Sequence, residues 1–316
     1  MPAGAGDEEP CLEFFLCRRF PAPVFLPSLR VPEPVDIFDF GPVVDEYAVM
    51  GNPITHSKSP RIHSLFAEQT GQAIQYRAIQ VDPGGLEQAV GNFVASGGQG
   101  LNITVPFKRD AWELVDTRSA RAERAGAVNT IKVEAVTLYG DNTDGVGLVN
   151  DLRRNHGIVL QDRRILLMGA GGAARGVLAP LLEEHPEHLW IANRTESRAR
   201  DLAGEFADLG PVEGCGYDAL EERQFDLLIN ATAASLHGEL PPLPDGILAS
   251  GGACYDMMYG ARPTPFMAWA RAQGADRVFD GLGMLVEQAA ESFFLWRGVR
   301  PDTAPVIEAL RRELQT

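Results

Sequence analysis

The chain lacks a thiol framework. Its four cysteines, Cys11, Cys17, Cys215 and Cys254, include no C-x-x-C pair, and none stands near a histidine at ligand spacing. This argues against a zinc site and against a disulfide-stapled fold. It also lacks any apolar run approaching the roughly 18 residues of a membrane span. The N-terminus is acidic before it is apolar, which is not the pattern of a secretory leader. A reducing cytoplasm and no membrane are the expectation. Positive charge is scarce as well: 28 Lys and Arg stand against 43 Asp and Glu, a net charge of -15. That balance argues against a broad nucleic-acid surface. A small anionic ligand would need local positive charge or backbone donors. There is no internal repeat.

What is present suffices for two packed domains, since 45% of 316 residues are hydrophobic. Residues 1–43 are crowded with proline and have no sustained period. They are expected to be an irregular extension, or untranslated if the natural start lies near Val43 and Val44. Beyond them, apolar strands alternate with helical stretches. Strands are expected at Tyr47–Met50, Ile74–Ile79 and Leu101–Val105, and a helix at Leu86–Ala95. Another helix should start with Ser59 as N-cap and Pro60 at the first helical position. The alternation predicts a βαβ layout with a mainly parallel sheet. The stretch Gly126–Gly145 reads as a hairpin leading into a helix near Val146–Asn155.

In "LNITVPFK", Leu101, Ile103 and Val105 point one way and Asn102 and Thr104 the other, as in a half-buried strand. Pro106 takes the chain off the ladder, and Lys108 follows. A solvated edge strand could look like this. So could the wall of a site for a polyhydroxylated molecule.

A second unit opens at Arg164. Ile165–Met168 is a short apolar strand, followed by Gly169-Ala170-Gly171-Gly172-Ala173-Ala174, a G-x-G-x-x-A pattern that opens a helix. Between strand and helix this is a dinucleotide fingerprint: the glycines admit a pyrophosphate and the helix N-terminus favours its charge. Pro180 within that helix predicts a kink. The next strand, Leu189–Ala192, ends in Asn193-Arg194-Thr195, with Arg198 beyond, where an NAD site would carry an acid. Two guanidiniums and a hydroxyl suit a 2′-phosphate, so NADP(H) is preferred. Later strands are expected at Leu227–Ile229 and Ala253–Tyr255, and helices at Leu282–Arg297 and over Val306, Ile307, Leu310 and Leu314.

The segments "GNPITHSKSP", "LNITVPFK", "GAVNT", "GDNTDGVG", "GAGGAARG", "NRTESRA", "YDMMY" and "DGLGMLVEQAA", in this order over about residues 46–300, resemble those of shikimate dehydrogenases. That resemblance implies reduction of 3-dehydroshikimate to shikimate with NADPH, on the route to chorismate and the aromatic amino acids. It implies an α/β fold with a mainly parallel substrate domain, 44–146 plus 281–316, and a Rossmann NADP domain, 147–280, with the site in the cleft between them. Lys108 and Asp144 are implied as the catalytic pair. Ser57, Ser59 and Tyr259 would hold the substrate carboxylate, and Thr104, Asn129 and Gln288 its hydroxyls. Thr232, Met257 and Gly281 would join the glycine turn and Asn193–Arg198 in holding the cofactor.

The residues agree chemically. The cofactor brings the hydride, so the protein must orient a ketone and deliver one proton. Which of Lys108 and Asp144 delivers it is left open. Each residue also has a plain alternative. Ser59 and Asp144 can be helix caps, Asn129 a turn residue, Tyr259 a core aromatic, and Arg194 and Arg198 solvated charges. Gln288 on an apolar helix is harder to explain, because a buried amide needs partners. His56 and His63 read as structural or surface residues. The rival functions are a broader quinate/shikimate dehydrogenase and a non-catalytic NADP-binding sensor; the latter should lack Lys108 or Asp144. The oligomeric state stays open between monomer and homodimer.

Overall fold

In the structure, a computed structural model, residues 44–135 and 137–315 are described, and the expected extension over 1–43 lies outside them. The first sheet is built from β1 (Asp45–Gly51), α1 (Ser59–Thr70), β2 (Ile74–Gln80), α2 (Leu86–Ala95), β3 (Gly98–Ile103), α3 (Lys108–Leu114), the short β4 (Thr117–Arg118), α4 (Ala120–Ala125), β5 (Thr130–Glu134) and β6 (Thr137–Asp141). Its strand order is β2-β1-β3-β5-β6-β4. The helical crossovers make β1 parallel to β2 and β3, and β4 is parallel to β6. The hairpin partners β5 and β6 are antiparallel, as are β3 and β5. The sheet is therefore parallel with an antiparallel insert.

The position of β3 corrects the half-buried reading of "LNITV". The strand ends at Ile103, between β1 and β5 in the middle of the sheet, so both faces are covered. Asn102 is 6% exposed, whereas Val105, beyond the strand, is 66% exposed. Leu101 and Ile103 pack with Met50 and Phe93 under α2. On the other face Ile62 and Phe66 of α1 pack against residues near the C-terminus, including Phe293 and Val306.

Helix α5 (Asp144–Asn150) and a π-type turn at Asp151–Asn155 lead to the second sheet. This contains β7 (Arg164–Met168), α6 (Gly172–Leu182), β8 (His188–Ala192), α7 (Glu196–Phe206), β9 (Val212–Cys215), β10 (Phe225–Asn230), β11 (Leu248–Asp256), α8 (Pro265–Ala272) and β12 (Arg277–Asp280). All its pairs are parallel, in the order β12-β11-β10-β7-β8-β9. Counting from β7, this is the doubly wound order of dinucleotide-binding sheets, with its switch point between β7 and β10. Such strands are buried on both faces: Ile165 and Leu167 enter one core and Leu166 and Met168 the other. Pro180 falls in the last turn of α6, with only Leu181 and Leu182 after it, so little helix is left to kink.

The chain then returns. Helix α9 (Leu282–Arg297) reaches the first sheet, where Trp296 Nε1 donates to the Ile131 carbonyl at 2.9 Å, and α10 (Ala304–Gln315) follows. Helix α5 packs closely on α9. A Cβ on Gly147 would lie 2.7 Å from the Gln288 Cβ and 2.9 Å from the Met284 carbonyl. Glycine at 147 lets α5 sit this close to the stretch of α9 that carries Gln288.

Candidate active site

After β3 the chain makes a turn in which the Thr104 amide donates to the Met50 carbonyl at 2.9 Å and the Phe107 amide to the Thr104 carbonyl at 3.0 Å. Phe107 is buried, 1% exposed, and anchors the start of α3. Lys108 opens that helix, and its carbonyl accepts the Val128 amide at 2.8 Å, which fastens it beside Asn129. Its Nζ donates to Asp144 Oδ2 at 2.6 Å.

Asp144 opens α5, yet its carboxylate caps nothing. The backbone amide of Asp144 is met by Asn142 Oδ1 at 3.1 Å. The carboxylate is thereby left to Lys108 through Oδ2 and to Asn129 Nδ2, which reaches Oδ1 at 2.8 Å. Asn129 is no mere turn residue either. Its Oδ1 accepts the Thr143 amide and the Thr130 hydroxyl, each at 2.9 Å. Gln288 Oε1 stands 3.4 Å from both Asn129 Nδ2 and Thr143 Oγ1. Behind them Thr130, Ser292 and Asn102 close the network, with Asn102 Nδ2 3.0 Å from Ser292 Oγ. Buried polar groups satisfied in this way hold one arrangement.

Helix α1 corrects one expectation. Lys58, not Ser59, stands at its cap position, and no side chain caps it. Ser57 Oγ instead accepts the Ser59 amide at 3.3 Å. The Ser59 hydroxyl is therefore not tied to its own helix end. Tyr76 lies beside it, and the Tyr76 hydroxyl donates to Asn102 Oδ1 at 2.7 Å.

These side chains surround one cavity of about 350 Å³. Ser57, Ser59, Thr104, Lys108, Asn129, Asp144, Tyr259 and Gln288 all line it, so the structure brings together every residue expected at the substrate. Met257 and Gly281, expected at the cofactor, line it too. Burial, with a smaller contribution from Asp280, pushes the Tyr259 pKa up, leaving a neutral phenol that can donate. Asn102 and Lys58 line the cavity although neither is among the expected site residues, and so does His56, which the sequence suggests to be structural or on the surface. A polar residue in the middle of a central strand was the available signal for Asn102. His63 is structural: fully buried, stacked on Tyr76 at 4.2 Å, with neither ring nitrogen hydrogen-bonded among the described residues. Burial drives its pKa down to about 3, against a weak opposing influence of the nearby Asn102 amide.

The cofactor candidates gather at the C-terminal ends of the second sheet's strands. Gly169 follows β7 with φ of 104°, a conformation that favours glycine. Helix α6 starts at Gly172, with Gly171 at its cap. Gly171, Gly172 and Ala173 are exposed and Ala170 half-buried, and the space beside both glycines is open. A pyrophosphate can thus approach free amides at a helix N-terminus. After β8, Asn193 Nδ2 braces the turn by donating to the Thr195 carbonyl at 2.9 Å. Arg194, Thr195 and Arg198 are exposed, and no described carboxylate pairs with either arginine. Thr232 follows β10, its methyl 3.3 Å from where a Gly169 Cβ would stand. Met257 and Gly281 follow β11 and β12 and touch: a Gly281 Cβ would meet the Met257 carbonyl at 2.1 Å. The residues present fit a phosphorylated dinucleotide reaching from the glycine turn to the Lys108 cavity.

Fold and site together define a two-domain, dinucleotide-dependent oxidoreductase. Three family profiles match the chain in sequence: the shikimate dehydrogenase substrate binding domain over residues 49–131, shikimate / quinate 5-dehydrogenase over 152–237, and the shikimate 5'-dehydrogenase C-terminal domain over 281–311. A protein of Alkalilimnicola ehrlichii named shikimate dehydrogenase (NADP(+)) is 64% identical over 271 residues, 86% of this chain and all of that one. Among solved structures, an Ael1 enzyme from Pseudomonas putida matches with a TM-score of 0.80 at 48% identity, covering 84% of this chain and 98% of that one. A Thermus thermophilus shikimate 5-dehydrogenase in complex with NADP(H) and shikimate matches with a TM-score of 0.76 at 36% identity, covering 86% of this chain and all of that one. The chain belongs to the shikimate dehydrogenase family.

Proposed function

We propose that the protein reduces 3-dehydroshikimate to shikimate with NADPH, reversibly, in the formation of chorismate and aromatic amino acids. One observation carries the proposal: a lysine–carboxylate pair at 2.6 Å stands in a cavity whose remaining wall combines hydroxyl- and amide-bearing side chains with residues of the dinucleotide sheet. The names of the relatives support the substrate.

Gly171 and Gly172 offer backbone amides to the pyrophosphate, and Arg194, Thr195 and Arg198 hold the 2′-phosphate. Asn193, Thr232, Met257 and Gly281 shape the rest of that path. When bound, NADPH supplies the hydride. Ser57, Ser59 and the neutral Tyr259 hold the substrate carboxylate, while Thr104, Asn129 and Gln288 hold its hydroxyls. As the carbonyl carbon gains the hydride pair, its oxygen gains negative charge and takes one proton from Lys108. Asp144, held on its other oxygen by Asn129, orients the Lys108 amine toward the substrate.

We place the domain boundaries at 44–146 plus 281–316 for the substrate domain and 147–280 for the NADP domain; α5 runs across the first junction. The protein acts in the cytoplasm on a small molecule, without nucleic acid or membrane, as a monomer or homodimer. The net charge of -15 supports the lack of a nucleic-acid partner, and among the described residues no helix is long and apolar enough to cross a membrane. NADPH oxidation by the purified protein with 3-dehydroshikimate and, separately, 3-dehydroquinate tests the substrate. Turnover of the first alone is expected. Comparable kcat/KM on both would make it a quinate/shikimate enzyme, and turnover of neither would remove the proposal.

A further inference from the structure

A second cavity of about 330 Å³, close in size to the first, lies where the two halves of the chain meet again. It draws Asp151 and Arg271 from the second-sheet half, and Gly283 and Arg311 from α9 and α10. None of the substrate or cofactor candidates lines it. Its volume falls within the range of small-molecule sites.

Its charges are unevenly satisfied. The acidic ones are already engaged. Asp280 accepts both terminal nitrogens of Arg311, at 2.6 and 2.5 Å, and the Leu282 amide at 3.2 Å. Asp151, fully buried, accepts the Tyr255 hydroxyl at 2.6 Å and Asn155 Nδ2 at 2.8 Å. Its carboxylate presses on the backbone of α9, where a Cβ at Gly283 would lie 2.0 Å from Oδ1. Among the cavity's arginines, Arg311 is the one these acids engage. Arg262 and Arg271 also line the cavity, and neither has a hydrogen-bond or ion-pair partner among the described residues. Both are exposed, so in a chain with 15 more acidic than basic residues they are two guanidiniums on one cavity that carboxylate or phosphate oxygens can reach.

The cavity also shares its walls with the first. The loop after β11 gives Met257 and Tyr259 to the first cavity and Gly260, Ala261 and Arg262 to the second. The start of α9 gives Gly281, Met284 and Gln288 to the first and Asp280 and Gly283 to the second. Arg262 and Tyr259 thus stand three residues apart on one loop that serves both cavities.

We propose that this second cavity binds a small oxyanion, a carboxylate or a phosphate, between Arg262 and Arg271, and that its occupancy alters affinity in the first cavity. The coupling half rests on the proposed function; the binding half does not.

The test is calorimetric titration with inorganic phosphate and, separately, malonate, at constant ionic strength and with NADP+ present to fill the arginines of the cofactor site. Saturable binding of either probe is expected, and which one binds separates the two sources of oxyanion. In Arg262→Ala/Arg271→Ala, binding should weaken about tenfold or more, the loss expected on removing charge-assisted contacts. The free variant should melt like the parent, since neither arginine has a partner to lose. Absence of saturable binding, or unchanged affinity in the variant, overturns the site. A second titration, of shikimate into protein with and without the bound probe, reads the coupling. By reciprocity, each should change the other's affinity by the same factor. Equal shikimate affinity in both conditions overturns the coupling, and no shikimate binding at all would count against the proposed function instead.

Discussion

Replacing Lys108 with alanine should reduce kcat by about 10²–10⁴-fold, the typical worth of a positioned general acid. The KM for 3-dehydroshikimate should change far less, because the proton is needed only as charge develops on the oxygen. The structure limits what else the substitution can do. Lys108 and Asp144 are partly solvated, 31% and 17% exposed, so losing the ion pair should cost about 1 kcal/mol of stability or less. Asp144 keeps the Asn129 amide at 2.8 Å and is not left bare. An activity loss of this size cannot then be assigned to unfolding, and a melting curve checks that directly. NADPH affinity should stay near that of the parent, since the phosphate contacts lie on the other sheet. Lys108→Arg should not restore turnover, because a guanidinium is a far weaker acid. Asp144→Asn should also depress kcat, and the double variant should lose less than the sum of the singles if the pair acts as one unit. Steady-state kinetics on the set decides it. Near-normal kcat with only a raised KM in Lys108→Ala would refute the reasoning and reduce this lysine to a binding group.

Arg194→Asp should remove a charge-assisted contact worth about 1.5–3 kcal/mol and add repulsion, so the NADPH-to-NADH ratio of kcat/KM should fall by at least about tenfold. Equal use of both cofactors by the parent enzyme would contradict the assignment. Gly147→Ala places a Cβ 2.7 Å from Gln288 and 2.9 Å from the Met284 carbonyl, which should lower stability by about 1–3 kcal/mol and raise KM by shifting Gln288; an unchanged Tm would show that α5 and α9 part easily. His63 has its pKa depressed to about 3 in the fold, against about 6.5 unfolded. Between these values the unfolded state binds the extra proton, so stability should fall with decreasing pH by up to about 1.4 kcal/mol per unit. His63→Phe should flatten that slope in denaturant titrations below pH 6.5, and an equal slope in both proteins would assign it to other groups.

The second sheet was largely legible because its strands are short apolar runs broken by glycine. "ILLMGAGGAA" carries strand, turn and helix start in ten letters, and nothing distant needs to be known to place it. Strands β9 and β12 were missed because "VEGC" and "RVFD" have neither an apolar run nor alternation. The face of Asn102 stays open in the sequence between a solvated edge and the wall of a site, because period-2 patterning does not tell an edge strand from a central one; the pairing of β3 on both sides decides that. Local pattern alone makes Ser59 a cap, whereas the helix starts one residue earlier than that role requires. The individual site residues came from family motifs, not from periodicity. What holds them was not visible at all: Thr130 and Ser292 meet at 2.7 Å across 162 residues of chain, a contact that only the return of α9 to the first sheet creates.

The central claim is that hydride passes from the cofactor to the ketone inside the Lys108 cavity while the protein supplies the proton. The most direct measurement uses NADPH carrying deuterium at the transferable position of the nicotinamide. After incubation with 3-dehydroshikimate, mass spectrometry should find shikimate heavier by a single deuterium, bound to the new carbinol carbon. In Lys108→Ala the same label should appear, far more slowly. Shikimate formed without the label, or labelled product made as fast without Lys108, would contradict the account.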